Sequence, residues 1–256
     1  MEEYQKKFAK FLANSGALFF ADNLTLKDGR PTPYFVNIGN VAQKTSLRKE
    51  LAQAYASMIE RNINEGMLID IVFGPSYKAS LIAGDATMVL LDKYNLDLGC
   101  CYDRKELKIH GEGSTKASLF VGAKFFDGCN IYMVDDVGTS MQTKKDGLDK
   151  IASESKILGI NSNVVGIGIA VDREQVGPVY DQGKIVLNAH GEDAIGNFVK
   201  DTRIPVNSIV GIKNTIDYLF KQNHPLIING QKRIMDKTTY GNFLTYMKTY
   251  GANRWI

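Results

Sequence analysis

The sequence predicts an α/β protein built around a buried, mostly parallel sheet. Apolar spacings of two and of about 3.6 alternate along the chain. Residues 69–73, 131–134 and 164–171 are continuous apolar runs, as expected of strands covered on both faces. The first two each lead into a polar loop and then a helical pattern, giving the strand–loop–helix unit twice.

The remaining elements follow in order. Residues 2–14 read as a helix with Phe8, Phe11 and Leu12 on one face, and residues 34–38 as a short strand. Residues 46–62 place Leu47, Leu51, Ala54, Tyr55, Met58 and Ile59 on one helical stripe. Residues 184–187 and 206–210 read as further strands, and 213–222 and 231–249 as closing helices. No repeat, low-complexity tract or interdomain linker interrupts the 256 residues, so residues 1–256 are expected to form one domain.

Composition narrows the class. Hydrophobic residues make up 44% and charged residues 23%, which excludes a disordered or fibrous chain. The balance of 31 basic and 28 acidic side chains is too even to argue for a nucleic-acid-binding face. Cys100, Cys101 and Cys129 form no CxxC pair, which argues against a zinc site or disulfide framework and for buried thiols in a reducing, cytoplasmic setting. The N-terminus is charged with mixed sign and has no signal-like apolar run, and no stretch approaches 18 apolar residues.

In open parallel sheets, ligands lie beyond the carboxyl ends of the strands, so the chemistry is sought in the loops there. The strongest segment is Ile131-Tyr132-Met133-Val134-Asp135-Asp136-Val137-Gly138-Thr139-Ser140. A buried strand delivers two carboxylates, and a Gly and two hydroxyls then open a helix whose N–H groups, with Thr143 nearby, suit a phosphate. The acids repel that phosphate but accept hydrogen bonds from sugar hydroxyls or bind a divalent cation, so the pairing suggests a ribose 5-phosphate. Read as mere turn and helix caps, the two acids would lack partners to offset their desolvation.

A second loop, Phe73-Gly74-Pro75-Ser76-Tyr77-Lys78, also opens a helix. A Lys in the first turn opposes the helix dipole, and an anionic ligand explains it better than helix stability does. In Arg104-Lys105-Glu106-Leu107-Lys108-Ile109-His110-Gly111-Glu112-Gly113, three cations and a His precede a Gly-rich stretch. Alone it would pass for a solvated charge run; between two phosphate-type loops it reads as a lid for a polyanion. Lys27, in a turn, and Arg173, at a third strand end, complete the set; Arg pairs well with a carboxylate. His190 and His224 have no ligand spacing around them and read as structural. The chain lacks GxxxxGK[ST], GxSxG, HExxH and GxGxxG, which disfavours P-loop, serine-hydrolase, zincin and dinucleotide readings. A phospho-receiver domain would carry its acids on the first strand, not near the middle.

Taken together, Thr25-Leu26-Lys27-Asp28-Gly29-Arg30, Pro33-Tyr34-Phe35, the two loops, the RKxxKxHGEG segment and Asp172-Arg173 resemble the orotate phosphoribosyltransferases. The matching segments run in family order over residues 25–173. The resemblance implies a type I phosphoribosyltransferase fold: a central, mostly parallel sheet flanked by helices, with a hood formed by the N-terminal ~40 residues and other segments. It implies transfer of the 5-phosphoribosyl group of phosphoribosyl pyrophosphate (PRPP) to orotate, giving orotidine 5′-monophosphate and pyrophosphate, with Mg²⁺ carried on substrate oxygens rather than by direct protein ligands.

Carried over position by position, the resemblance implies that Asp135 and Asp136 hold the ribose hydroxyls and that Val137, Gly138, Thr139, Ser140, Met141, Gln142 and Thr143 cradle the 5-phosphate. Tyr77 and Lys78 would contact the pyrophosphate, with Lys27 near both substrates. Phe35 and Val36 would flank orotate, while Thr139 and Arg173 recognise its polar edge and carboxylate. Arg104, Lys105, Lys108 and His110 would close over the pyrophosphate, with Lys105, Lys108, His110 and Asp136 the catalytic group. A homodimer sharing lid residues is implied as well. One departure stands out: Met141 occupies a position where the family usually has Gly or another small residue, so its side chain either crowds the phosphate or sends the loop along a different path. The alternatives are a phosphoribosyltransferase for another base, which the lid and Lys27 disfavour, and a PRPP-binding regulator of nucleic acid, which the small net charge of +3 disfavours.

Overall fold

The apolar runs lie side by side at the centre of the molecule, as their burial on both faces requires. The computed structural model describes residues 1–104, 119–138 and 141–252. In chain order the elements are α1 (Glu3–Asn14), β1 (Leu18–Thr25), β2 (Pro31–Val36), a 3₁₀ turn (Ile38–Gln43), α2 (Thr45–Asn64), β3 (Ile71–Phe73), α3 (Lys78–Tyr94), β4 (Gly99–Asp103) and β5 (Phe120–Gly122). There follow β6 (Cys129–Gly138), α4 (Gln142–Leu158), β7 (Ser162–Asp172), β8 (Tyr180–Asp181), β9 (Lys184–Ile185), α5 (Ala194–Thr202), β10 (Val206–Gly211), α6 (Ile212–Lys221), β11 (Leu226–Ile228), β12 (Gln231–Arg233) and α7 (Lys237–Tyr250).

The central sheet has six strands in the order β10-β7-β6-β3-β4-β5, all parallel except β5, which runs antiparallel to β4. From β3 the chain moves outward to β4; from β6 it moves the opposite way, to β7 and β10. The order therefore reverses between β3 and β6, and their carboxyl ends flank the crevice where ligands bind in such sheets. Alternation along β6 assigns its side chains to two cores: Tyr132 and Val134 join α1, α2, α3 and α6, whereas Ile131 and Met133 join α4 and α5. All four are fully buried. Among the described residues no helix is long and apolar enough to cross a membrane.

A second sheet, β12-β11-β1-β2, stands beside the first. Its side chains Leu18, Phe20 and Tyr34 share one apolar cluster with Val72, Tyr132 and Val134 of the central sheet. The hood expected from the first ~40 residues thus takes two of its strands from the far end of the chain.

The sequence-based elements need several corrections. The strand expected at 34–38 is β2, shifted toward the N-terminus, and residues 38–43 turn in a 3₁₀ helix instead. The helix expected over 231–249 begins only at Lys237, where Asp236 accepts a hydrogen bond from the Thr239 N–H. Residues 231–233 are a strand, because Asn229 and Gly230 both adopt positive φ and close a two-residue hairpin between β11 and β12. The segment 184–187 contributes only the short β9, which pairs with β8 and not with the central sheet. Strands β1, β4, β5, β8 and β11 and helix α5 were not expected from the sequence. As expected, Cys101 and Cys129 are buried and Cys100 is half-buried, all three unpaired.

Candidate active site

Two loops flank the crevice. After Phe73 the chain turns at Gly74, whose backbone lies so close to α3 that an added Cβ would stand 2.1 Å from the Ala79 carbonyl oxygen. Only Gly fits this close approach. The loop is pinned from β4: the Ser76 N–H donates to Asp103 Oδ1 at 2.6 Å, the Ser76 hydroxyl donates to the Asp103 carbonyl, and Lys150 of α4 pairs with the Asp103 carboxylate. Tyr77 is exposed, and Lys78 opens α3 with its ammonium 3.7 Å from Asp136 Oδ2 across the crevice. That ammonium also borders Gly39 in the 3₁₀ turn beside the hood, so the loop and the hood meet there.

At the end of β6, Asp135 and Asp136 differ in surroundings. Asp135 is buried; its Oδ1 accepts the Asp136 N–H at 2.9 Å and its Oδ2 pairs with the ammonium of Lys144. Tyr55 of α2 donates its hydroxyl to the Asp135 carbonyl at 2.6 Å. Asp136 is more open. Its Oδ1 accepts the Val137 N–H at 2.8 Å, and burial, together with the charge of Asp135, raises its pKa above the ordinary carboxylate value.

The rest of this loop behaves as its composition requires. Val137 is half-buried and Gly138 buried. Met141 caps α4 with φ of 60°, in the left-handed region that Gly would supply without strain. Its side chain is buried in the apolar cluster under α4. Gln142 is exposed and donates to Asp146 on its own helix; Thr143 is exposed.

A third wall comes from β7 and the hood. The register pairs Gly138 with Asp172, which sets Arg173 at the head of the β6 loop. The Arg173 guanidinium lies 5.5 Å from the Tyr34 ring centroid, and its Nε and Nη2 are buried without a hydrogen-bond partner among the described residues. Such donors are costly to leave unmet, so an anionic ligand is the natural complement. Lys27 is exposed on the hairpin between β1 and β2, and Arg30 anchors that hairpin through an ion pair with Asp28 and a 2.8 Å bond to the Val176 carbonyl. Phe35 is half-buried against Phe19, whereas Val36 points into the main core and can offer a ligand only its backbone.

The structure thus gathers Asp135, Asp136, Val137, Gly138, Lys78 and Arg173 around the crevice. Arg104, at the end of β4, donates its N–H to the Leu119 carbonyl at 2.7 Å, bringing together the two ends of the expected lid. Lys105, Lys108, His110, Thr139 and Ser140 lie outside the described residues. Sequence reading missed Lys144, Asp103 and Tyr55. Lys144 was signalled by its place on the stripe Lys144, Gly147, Ile151, Ser155 that α4 buries, an odd position for a lysine. Asp103 and Tyr55 gave no comparable sign. His190 and His224 lie away from the crevice: His224 contacts Asn14 and His190 the Thr249 carbonyl.

A switch-point crevice holding an acid pair, a facing lysine and a helix-opening loop on each side defines a type I phosphoribosyltransferase. No family model matches the chain. It is 34% identical over 254 residues to orotate phosphoribosyltransferase of Clostridium botulinum (strain Alaska E43), covering 98% of this chain and 100% of that one. It is 33% identical over 232 residues to the same enzyme of Stutzerimonas stutzeri, covering 89% of this chain and 96% of that one. The crystal structure of orotate phosphoribosyltransferase from Francisella tularensis superimposes with a TM-score of 0.71 at 27% identity, covering 96% of this chain and 100% of that one. The chain belongs to the orotate phosphoribosyltransferase family, glycosyltransferases of pyrimidine biosynthesis that form orotidine 5′-monophosphate from orotate and PRPP.

Proposed function

We propose that this crevice binds PRPP and orotate together and carries out the family's transfer with the residues expected from the sequence. The observation that carries the reading is the register that sets Arg173, with its unmet donors, beside the loop that follows the acid pair. An anionic base at Arg173 and a pentose at Asp136 then adjoin, which is what bond formation between them requires. The β6 loop and the start of α4, residues 137–143, offer N–H groups to the 5-phosphate, while Tyr77 and Lys78 face the pyrophosphate. Phe35 and the Val36 backbone border orotate, with Lys27 above.

Cleavage of the C1–pyrophosphate bond leaves negative charge on the leaving group and positive charge on the ribose. Lys78 stabilises the first, with Arg104, Lys105, Lys108 and His110 as its proposed companions, and Asp136 the second. Loss of one such charge donor typically costs on the order of 10²–10³ in rate. Mg²⁺ offsets charge on the pyrophosphate when PRPP brings it. The donor set suits that route, because Lys144 occupies Asp135 and Lys78 lies over Asp136, so the ion comes with the substrate's own oxygens.

The shared apolar cluster of the two sheets supports reading residues 1–256 as one domain. We also propose a homodimer. Tyr77, Leu81, Met88 and Leu91 form an exposed apolar stripe at helical spacing, and Tyr102 is exposed on the same face of β4 as Cys100, toward α3. A second copy of this chain is its expected cover. The unpaired thiols support a reducing, cytoplasmic setting.

The test is loss of orotate's ultraviolet absorbance on adding PRPP and Mg²⁺. Consumption of orotate supports the reading. Turnover of a purine in its place would reassign the base, and salt-dependent binding of DNA or RNA without turnover would favour a regulator.

A further inference from the structure

We propose that Lys144 is a positioning residue of the phosphoribosyl site: buried under the end of β6, it fixes Asp135 and the Val137 carbonyl and so holds the acid pair in place for the sugar. This rests on the reading that the crevice binds PRPP. Lys144 is only 4% exposed, and its Nζ pairs with Asp135 Oδ2 and donates to the Val137 carbonyl at 2.9 Å. A cation in the first turn of α4 opposes the helix dipole, and a buried ammonium is expensive without partners. Helix stability therefore does not explain it, whereas the anion it holds does.

The hydrogen bonds divide the pair. Both oxygens of Asp135 are engaged, one by Lys144 and one by the Asp136 N–H. Asp136 Oδ1 takes the Val137 N–H, and among the described residues its Oδ2 meets only the Lys78 ammonium, at 3.7 Å, beyond hydrogen-bond reach. Each carboxylate oxygen can accept two hydrogen bonds, so both acids retain acceptor capacity for ribose hydroxyls, with Asp136 the more open of the two. Lys144 also closes the chain on itself, tying the end of β6 to the first turn of α4 across the phosphate loop.

Among the described residues the charged and titratable groups facing Asp136 are Asp135 on its own strand, Lys78 from α3, Lys144 from α4 and Tyr55 from α2. The charge of Lys144 favours ionised Asp136, whereas Asp135 and burial oppose it. Without Lys144, Asp136 ionises at higher pH. A carboxylate that must be ionised to accept sugar hydroxyls then loses function from a higher pH downward.

The experiment measures PRPP KM and the pH profile of kcat/KM. Lys144→Met is expected to raise KM for PRPP about 10- to 100-fold and to move the acidic limb toward higher pH. Lys144→Arg keeps the limb near its original place. Adding Asp135→Asn to Lys144→Met removes the like charge and brings the limb back, while KM stays raised. That neutral double variant carries the test if the single one is too unstable to purify. A lowered melting temperature with an unmoved limb and unchanged KM overturns the proposal. An unaltered protein that leaves orotate and PRPP unconverted overturns the underlying reading as well; normal turnover with an unmoved limb overturns the role of Lys144 alone.

Discussion

The Ser76 N–H donates to Asp103 Oδ1 at 2.6 Å, joining the loop after β3 to the end of β4. Lys150 pairs with the other oxygen of the same buried carboxylate. Removing Asp103 leaves a loop N–H and a partly exposed ammonium without their acceptor. Asp103→Ala is expected to destabilise the protein by about 2 kcal/mol, read by urea denaturation, and to raise KM for PRPP while KM for orotate holds. Unchanged stability and KM would show the link to be idle.

Asp136 couples stability to pH. Its folded-state pKa is raised, mainly by burial and then by Asp135. The folded state therefore binds a proton more readily than the unfolded chain, and stability falls as pH rises from the ordinary carboxylate value through the raised one. Above the raised value the penalty is fully present. Asp136→Asn removes it, so the variant is expected to melt higher than the parent at neutral pH. The gain should vanish below the ordinary Asp pKa, and activity should be lost throughout. Melting curves across the acid range check this; a variant less stable at neutral pH would refute it.

The proposed contact of Arg173 with orotate would separate the two substrates. Its Nε and Nη2 have no hydrogen-bond partner among the described residues, and a planar fork suits a carboxylate in a way an ammonium does not. Arg173→Lys and Arg173→Leu are each expected to lower kcat/KM for orotate on the order of 10²-fold. KM for PRPP should change little. Steady-state kinetics with each substrate varied in turn makes the comparison, and an equal loss for PRPP would place Arg173 elsewhere in the mechanism.

The proposed homodimer can be tested at the apolar stripe on α3. Met88 and Leu91 are exposed and carry no part of the crevice. Met88→Lys combined with Leu91→Lys places two charges where a second copy would dock, and is expected to shift the protein to monomer in light scattering. A monomeric unaltered protein, or a double variant that still dimerises, would show this face to be free.

Much of this architecture was legible because it rests on local pattern. The runs at 69–73, 131–134 and 164–171 reported a sheet covered on both sides, and β3, β6 and β7 are that sheet. Asp135, Asp136 and Arg173 could be placed at strand ends because a continuous apolar run has a visible end. What failed was non-local or short. Strand β1 runs into Ala21-Asp22-Asn23, where polar residues and a shift in register mask its alternation. Strand β12 is three exposed polar residues, defined by its partner β11 and by the Asn229-Gly230 turn. Lys144 was overlooked as a site residue although Gly147 and Ile151, at helical spacing from it, marked its face as the one α4 buries; the pattern showed the burial but not the carboxylate it meets.

The hood sheet has a temporal meaning. Its strand β1 pairs in parallel with β11, and Asp22 and Asn229, 207 residues apart, exchange two hydrogen bonds. A chain emerging from the ribosome can form β3 through β7 from contiguous segments, but it cannot complete the wall bearing Lys27 and Phe35 until β11 has been made. The acid pair can therefore be in place while the wall beside it still awaits its last strands, and closing so long a loop is the step expected to pace maturation.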